Sequence, residues 1–221
     1  NIKVRGLVHK KICKLESSVV KIKTNKSSGT GFFIEKNKIL TNWHVVKNKN
    51  IVEVVLKAYG SEKVSFEAKN IGRVVYVDKE RDLALIETKF DNKINISKLT
   101  LSGSNTIEKG DDVYTIGHPF DSDWSCRAGR ITNILRKEYE TDIAIDKGNS
   151  GGPLFNENGK VIGVVTKFID KNKFYNYSPS LDEVRIFLAN SKISSKHELN
   201  NLGQSQKVRS RPFDTNNDGI A

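Results

Sequence analysis

The stretch that decides the reading of this chain is "GNSGGPLFNENGKVIGV", Gly148–Val164. It sets Ser150 among three glycines, immediately ahead of an apolar run. A Gly-Asn-Ser-Gly-Gly segment of this kind suits an ordinary turn between two strands. It suits equally a loop that presents a serine hydroxyl while its backbone N–H groups point inward. The choice depends on whether the rest of the chain supplies a base and a group to orient that base.

Working outward, short runs rich in β-branched and aromatic residues recur along the chain: "SSVVKIK" (17–23), "GTGFFIE" (29–35), "IVEVVLKAYG" (51–60), "IGRVVYVD" (71–78) and "LALIE" (83–87). They continue with "DDVYTIG" (111–117), "GRITNIL" (129–135), "TDIAID" (141–146) and "KVIGVVTKF" (160–168). Turn formers such as "EKNK", "SGSN" and "DKNK" separate them. Many short strands at close spacing, with no long helical period, predict an all-β sandwich or barrel. One helix is expected over 180–190. Ser180 offers a capping oxygen, Glu183 follows three residues on, and Leu181, Val184, Phe187 and Leu188 form one apolar stripe.

Two upstream residues complete a constellation with Ser150. His44 lies in "ILTNWHVV" and Asp82 in "ERDLALIE", each in an apolar setting. His, Asp, Ser is one of the chain orders in which a serine triad occurs. A serine hydroxyl is a poor nucleophile until an imidazole takes its proton, and a carboxylate fixes the tautomer that can do so. The glycines then have a purpose. Gly148 lacks a Cβ and lets the backbone aim amide N–H groups at the oxyanion that attack creates. Asp78 is the rival orienter, but it precedes Lys-Glu-Arg and reads as solvated. His118 reads as structural, His9 and His197 lie toward the ends, and Trp43 and Trp124 read as core or rim aromatics.

The segments "GTGFFIEKNKILTNWHVV", "VVYVDKERDLALIE", "YTIGHPFDSDWSCRAGRITNIL" and "TDIAIDKGNSGGPLFNENGKVIGVVTKF" together resemble trypsin-like serine proteases of the chymotrypsin fold, above all the bacterial HtrA/Deg catalytic domains. The resemblance implies an all-β fold of two six-stranded antiparallel β-barrels, with the active site in the cleft between them, plus a short C-terminal helix. It implies a serine endopeptidase acting on protein or peptide substrates through an acyl-enzyme. In that reading His44 is the general base, Asp82 its orienter and Ser150 the nucleophile, while Gly148, Asn149 and Ser150 form the oxyanion hole. Ala144 and Ile145 would lie near the base of the S1 pocket, with Val165, Thr166, Lys167 and Phe168 along its side. None of these is a carboxylate that could hold Lys or Arg, so a small or medium aliphatic P1 residue is expected. The staphylococcal glutamyl endopeptidases place a histidine where this chain has Val165, so a Glu preference is not expected. HtrA-type relatives also suggest an oligomer and a secreted or periplasmic rather than cytoplasmic location. The residues after Asn190 are too few for the PDZ module such proteins carry.

The parsing that follows is a basic N-terminal arm (1–16), a protease domain (17–190) and a polar linker or tail (191–221). Within the domain, barrel 1 runs about 17–100, barrel 2 about 101–178, and the helix 180–190. Hydrophobic residues make up 37% of the 221, enough for a core, and no apolar run approaches the roughly 20 needed to span a bilayer. The formal charge is +11, and residues 1–26 hold eight basic residues against Glu16 alone. Without interleaved aromatics for base stacking, nucleic acid is not an expected partner. The alternative function is a non-catalytic binding protein on a protease scaffold, meeting an anionic partner through this arm. No cofactor is expected. Ligand spacing supports no metal site, apart from the partial EF-hand-like stretch with Asp214, Asn216 and Asp218, which lacks a closing Glu. Cys13 and Cys126 are far apart, and two free thiols are expected in preference to a bridge.

Overall fold

The computed structural model describes residues 2–208 except 26, 61–63, 104–105, 120–122 and 171–172, with backbone alone at 2–4, 167–170, 173–175 and 195–208. The weak candidates Asp214, Asn216 and Asp218 fall outside the described residues.

The first six strands are β1 (Val19–Lys23), β2 (Ser28–Glu35), β3 (Lys38–Thr41), β4 (Ile51–Tyr59), β5 (Ser65–Asp78) and β6 (Leu83–Thr88). They close into an antiparallel barrel in the order β1-β2-β3-β6-β5-β4. Its interior is filled by Val20, Ile22, Phe33, Ile39, Val54, Leu56, Ile86 and Phe90 among others. Phe33 and Phe90 meet edge to face at 6.2 Å, a geometry that suits the ring quadrupoles. Alternation drives the closure. In β4, Val52, Val54, Leu56 and Ala58 point inward while Ile51, Glu53 and Tyr59 face out, so a one-residue slip would turn the buried set to water.

The remaining strands are β7 (Asp112–Gly117), β8 (Ser125–Ile134), β9 (Glu138–Thr141), β10 (Pro153–Phe155), β11 (Val161–Val164), β12 (Thr166–Asp170) and β13 (Lys173–Pro179). They form one sheet ordered β11-β10-β7-β8-β9-β13-β12. An isolated antiparallel bridge between Gly163 and Ser180 brings β11 against the end of β13. The six strands from β11 to β13 thereby curl into a half-barrel, and β12 extends it. Its core holds Val113, Ile131, Tyr139, Ile143, Ile145, Leu154, Ile162 and Val165. The fold is thus the chymotrypsin-like one, with the second barrel less fully closed than the first.

Among the described residues three α-helices accompany the strands, α1 (Ile2–Cys13), the single turn α2 (Trp43–Val46) and α3 (Leu181–Val208), and a 3-10 helix (Lys14–Ser18) follows α1. The expected stripe is buried at its start, with Leu181, Val184 and Phe187 all fully covered. Glu183 lies 2.8 Å from Arg81, without the alignment of a hydrogen bond. The chain divides after Phe187 into two compact units, and the second, from Leu188, contains the rest of α3. No helix among the described residues is long and apolar enough to cross a membrane.

The cysteine expectation is overturned. Cys13 and Cys126 form a disulfide, their Cα atoms 5.6 Å apart across a sequence separation of 113. Separation along the chain hid the pairing, because only the docking of α1 beside β7 and β8 brings the two together. Closing so long a loop restricts the unfolded chain strongly. Opening the bridge with Cys126→Ser should therefore cost about 2–5 kcal/mol, read as a lower urea midpoint than that of the oxidised protein. An unchanged midpoint would show that the bridge adds nothing to stability.

Candidate active site

β3 and β6 are hydrogen-bonded neighbours, with Thr41 opposite Ala84. The chain leaving β3 and the chain entering β6 therefore meet at one end of the barrel. Asn42 leads into the short α2, which carries His44, and Asp82 immediately precedes β6. The backbone ties come first: Trp43 N–H donates to the Asp82 carbonyl at 3.1 Å and Asn42 Nδ2 to the same oxygen at 2.9 Å. The Asp82 carboxylate then holds His44 twice, accepting from its backbone N–H at 2.9 Å and lying 2.6 Å from ring Nδ1. An ionised carboxylate only accepts, so a neutral ring in this pose carries its proton on Nδ1 and has the free lone pair on Nε2. Asp82 reaches this pose with φ +51°, a left-handed conformation that Asp tolerates better than most residues and that clusters at functional sites. Asp78 is committed elsewhere. Burial pushes its carboxyl up, but the Arg81 guanidinium at 2.8 Å and the N–H groups of Glu80 and Arg81 outweigh that and hold it below the usual carboxylate range.

Ser150 arrives from the other half of the fold. Its carbonyl accepts from Thr30 N–H at 2.8 Å, and the hydroxyl of Thr41 donates to the Thr30 carbonyl at 2.6 Å. Gly151 is pressed into the same place: a Cβ there would stand 2.2 Å from Thr41 Oγ1 and 3.2 Å from Asn42 N. The serine loop is thus packed against the residues that lead to His44. From behind, Gly151 N–H donates to the Val165 carbonyl and Val165 N–H to the Gly152 carbonyl, each at 2.8 Å. Among the described residues, the N–H groups of Gly148 and Ser150 meet no acceptor, and Ser150 Oγ makes no hydrogen bond to His44. Asn149 N–H instead bonds the Asp146 carbonyl at 3.2 Å, while its fully buried side-chain amide has no protein partner.

His118 supports this loop, a role the sequence did not disclose beyond "structural". Thr30 Oγ1 donates to the Gly148 carbonyl at 2.6 Å and contacts His118 backbone N and ring Nδ1, both at 3.1 Å. The hydroxyl has one proton, already given to Gly148, so both His118 nitrogens donate and ring Nε2 is bare. That Nε2 is buried without a partner, and the ring stands edge-on to Trp124 at 4.7 Å. Burial chiefly lowers the His118 pKa to about 3, with Asp123 pulling it up and Lys21 down. The unfolded chain takes up a proton near 6.5 that the folded one refuses. Stability is therefore fully present above 6.5 and falls as pH drops from there towards 3, by at most about 1.4 kcal/mol per pH unit. Comparing urea midpoints at pH 7 and pH 5 for the protein and for His118→Gln should show a slope that the variant lacks; equal slopes would exclude the histidine as its source.

The expected specificity residues are distributed unevenly. Thr166 lines a cleft of about 520 Å³ together with Trp43, His44, Lys79, Asp82, Glu138 and Tyr177. Ile145 and Val165 lie in the half-barrel core, at 6% and 0% exposure. Ala144 is exposed, and Arg127 donates to its carbonyl while lying 3.1 Å from the Asp146 carboxylate. Lys167 and Phe168 are on β12, where the backbone alone is described. A larger hollow of about 660 Å³, bordered by Lys23, Lys49, Ile51 and Lys69, touches none of the residues around His44. Thr30 could have been suspected from its place between Gly29 and Gly31, but nothing in the sequence singles out Arg127, Glu138 or Tyr177.

A closed barrel followed by a half-barrel of antiparallel strands defines the class of chymotrypsin-like folds. The chain belongs to the family of trypsin-like peptidase domains, whose model matches residues 29–164. It is 34% identical over 196 residues to serine protease HTRA1 of Xenopus tropicalis, covering 83% of this chain and 39% of that protein. It is also 34% identical over 152 residues to the periplasmic serine endoprotease DegP of Escherichia coli K12, covering 64% and 30% respectively. The chain thus spans well under half the length of these relatives. The structure is similar to the active form of the Rv3671c protease from M. tuberculosis, with TM-score 0.67 and 27% identity over 83% of this chain and 85% of that one.

Proposed function

We propose that this chain is a serine endopeptidase that cleaves peptide bonds in protein substrates through an acyl-enzyme. The observation that carries the reading is the double hold of Asp82 on His44, through its ring Nδ1 and its backbone N–H, which leaves Nε2 as a base. With substrate in the cleft, Ser150 Oγ and His44 Nε2 close to hydrogen-bond distance; such bonds are commonly long until substrate binds. Ser150 Oγ attacks the scissile carbonyl as His44 takes its proton. The resulting oxyanion is received by the N–H groups of Gly148 and Ser150, which have no other acceptor among the described residues. His44 then protonates the leaving amine, and the reverse sequence with water hydrolyses the acyl-enzyme.

Substrate backbone adds to the strand beginning at Thr166, and P1 is a small or medium aliphatic side chain, since neither Ala144 nor Ile145 offers a charge to a longer one. The Cys13–Cys126 bridge, with the periplasmic relatives, supports action outside the cytoplasm. The test is cleavage-site profiling on a peptide library. Cleavage after Ala, Val, Leu or Ile bears out the whole reading. Cleavage after Lys, Arg or Glu keeps the peptidase and removes the P1 assignment. No cleavage, together with no labelling by a fluorophosphonate, removes both.

A further inference from the structure

Where α1 meets the half-barrel, three metal-ligating side chains converge. His9 and Cys13 sit four residues apart on α1, a spacing that places them on one helix face. Cys126 comes from β8. One donor atom from each lies within 4.8 Å of the other two. His9 packs at a tilt against Tyr114, ring centroids 5.8 Å apart, and its Nε2 is buried with no hydrogen-bond partner. An imidazole nitrogen shut away from water has an unmet demand, and the disulfide does nothing to meet it.

We propose that, once the bridge is reduced, His9, Cys13 and Cys126 form a zinc site with a water in the fourth position. The bridge and the metal are alternative ways of joining the same two elements. A dithiol reductant converts the disulfide to two thiols and is itself oxidised to a disulfide. Zn²⁺ then displaces both thiol protons, giving a centre of two thiolates, one neutral imidazole and no net charge. Tetrahedral zinc takes sulfur at about 2.3 Å and nitrogen at about 2.0–2.1 Å, so its ligand atoms stand on the order of 3.5–3.8 Å apart. The present spread of at most 4.8 Å is close to that, and the Cα atoms of Cys13 and Cys126 are 5.6 Å apart. Since Cys13 and Cys126 are 113 residues apart, no spacing motif announces the site. The proposal is independent of the peptidase reading.

The test is a titration of the folded, phosphine-reduced protein with Zn²⁺, and with Co²⁺ as a spectroscopic probe. One equivalent should bind, Co²⁺ should give thiolate charge-transfer and tetrahedral d–d absorption, and alkylation of both thiols should slow by about tenfold or more. His9→Ala should weaken zinc binding by about 100-fold, since losing even a residue that only supports a ligand costs 10–100-fold. The oxidised protein should bind none. Two free thiols in a protein of native circular dichroism, binding zinc no better than Cys126→Ser, would overturn the proposal. If reduction unfolds the chain, zinc present during reduction should preserve the native spectrum, and failure to do so overturns it equally.

Discussion

Ser150→Ala should lower kcat for a cleaved peptide by on the order of 10⁶-fold, and His44→Ala by a similar factor, because the members of a triad act as one unit. Asp82→Asn should cost about 10⁴-fold. It leaves the ring in place but removes the acceptor at 2.6 Å that keeps the proton on Nδ1. All three variants should fold. Ser150 is only 9% exposed and its structural bonds are made by its backbone, which alanine retains. Fluorophosphonate labelling should vanish in Ser150→Ala and fall with the base in the other two. Turnover by Ser150→Ala near that of the parent would end the assignment, and circular dichroism on the same samples separates lost chemistry from lost fold.

Gly148→Ala has the next largest expected effect. Gly148 adopts φ +103°, and a Cβ there would stand 2.0 Å from the His118 carbonyl oxygen. That carbonyl belongs to the backbone held by Thr30, so it does not give way as the end of a flexible side chain would. The alanine variant must rotate its peptide, which turns the Gly148 N–H away from the oxyanion. Losing one such donor costs about 10²–10³ in kcat. The appropriate control is Gly110→Ala, whose φ of +93° is comparable but whose Cβ would meet nothing within 4 Å. It should lose stability through backbone strain while keeping its kcat. If both variants lose activity equally, strain rather than the oxyanion loop accounts for the effect.

The candidate residues could be picked out of the sequence because chemistry restricts residue type. Ser150 between Asn149 and Gly151, His44 in "TNWHVV" and Asp82 ahead of "LALIE" each carry local context, and the strands around them alternate in the manner of a barrel. The choice of Asp82 over Asp78 could be argued from neighbours, and it agrees with the hold Asp82 has on His44 and Asp78 on Arg81. The bracing was hidden. Thr30, His118 and Gly148 span 118 positions, and nothing in the segment around any one of them points to the others.

What the sequence determined by itself is whatever depends on near neighbours: the period of the strands, the glycines at turns, the apolar stripe that starts α3, and which residues stand as candidates for the site. The tertiary structure alone decided which distant groups share a point. It paired Cys13 with Cys126, assigned the Thr30 proton to the Gly148 carbonyl, left the half-barrel less closed than its partner, and set Glu138 and Tyr177 beside His44. The reason is physical. Strand pattern is fixed by burial within a few residues, whereas these meetings follow from how two separately patterned sheets dock, and docking is a property of surfaces that no short window of sequence contains.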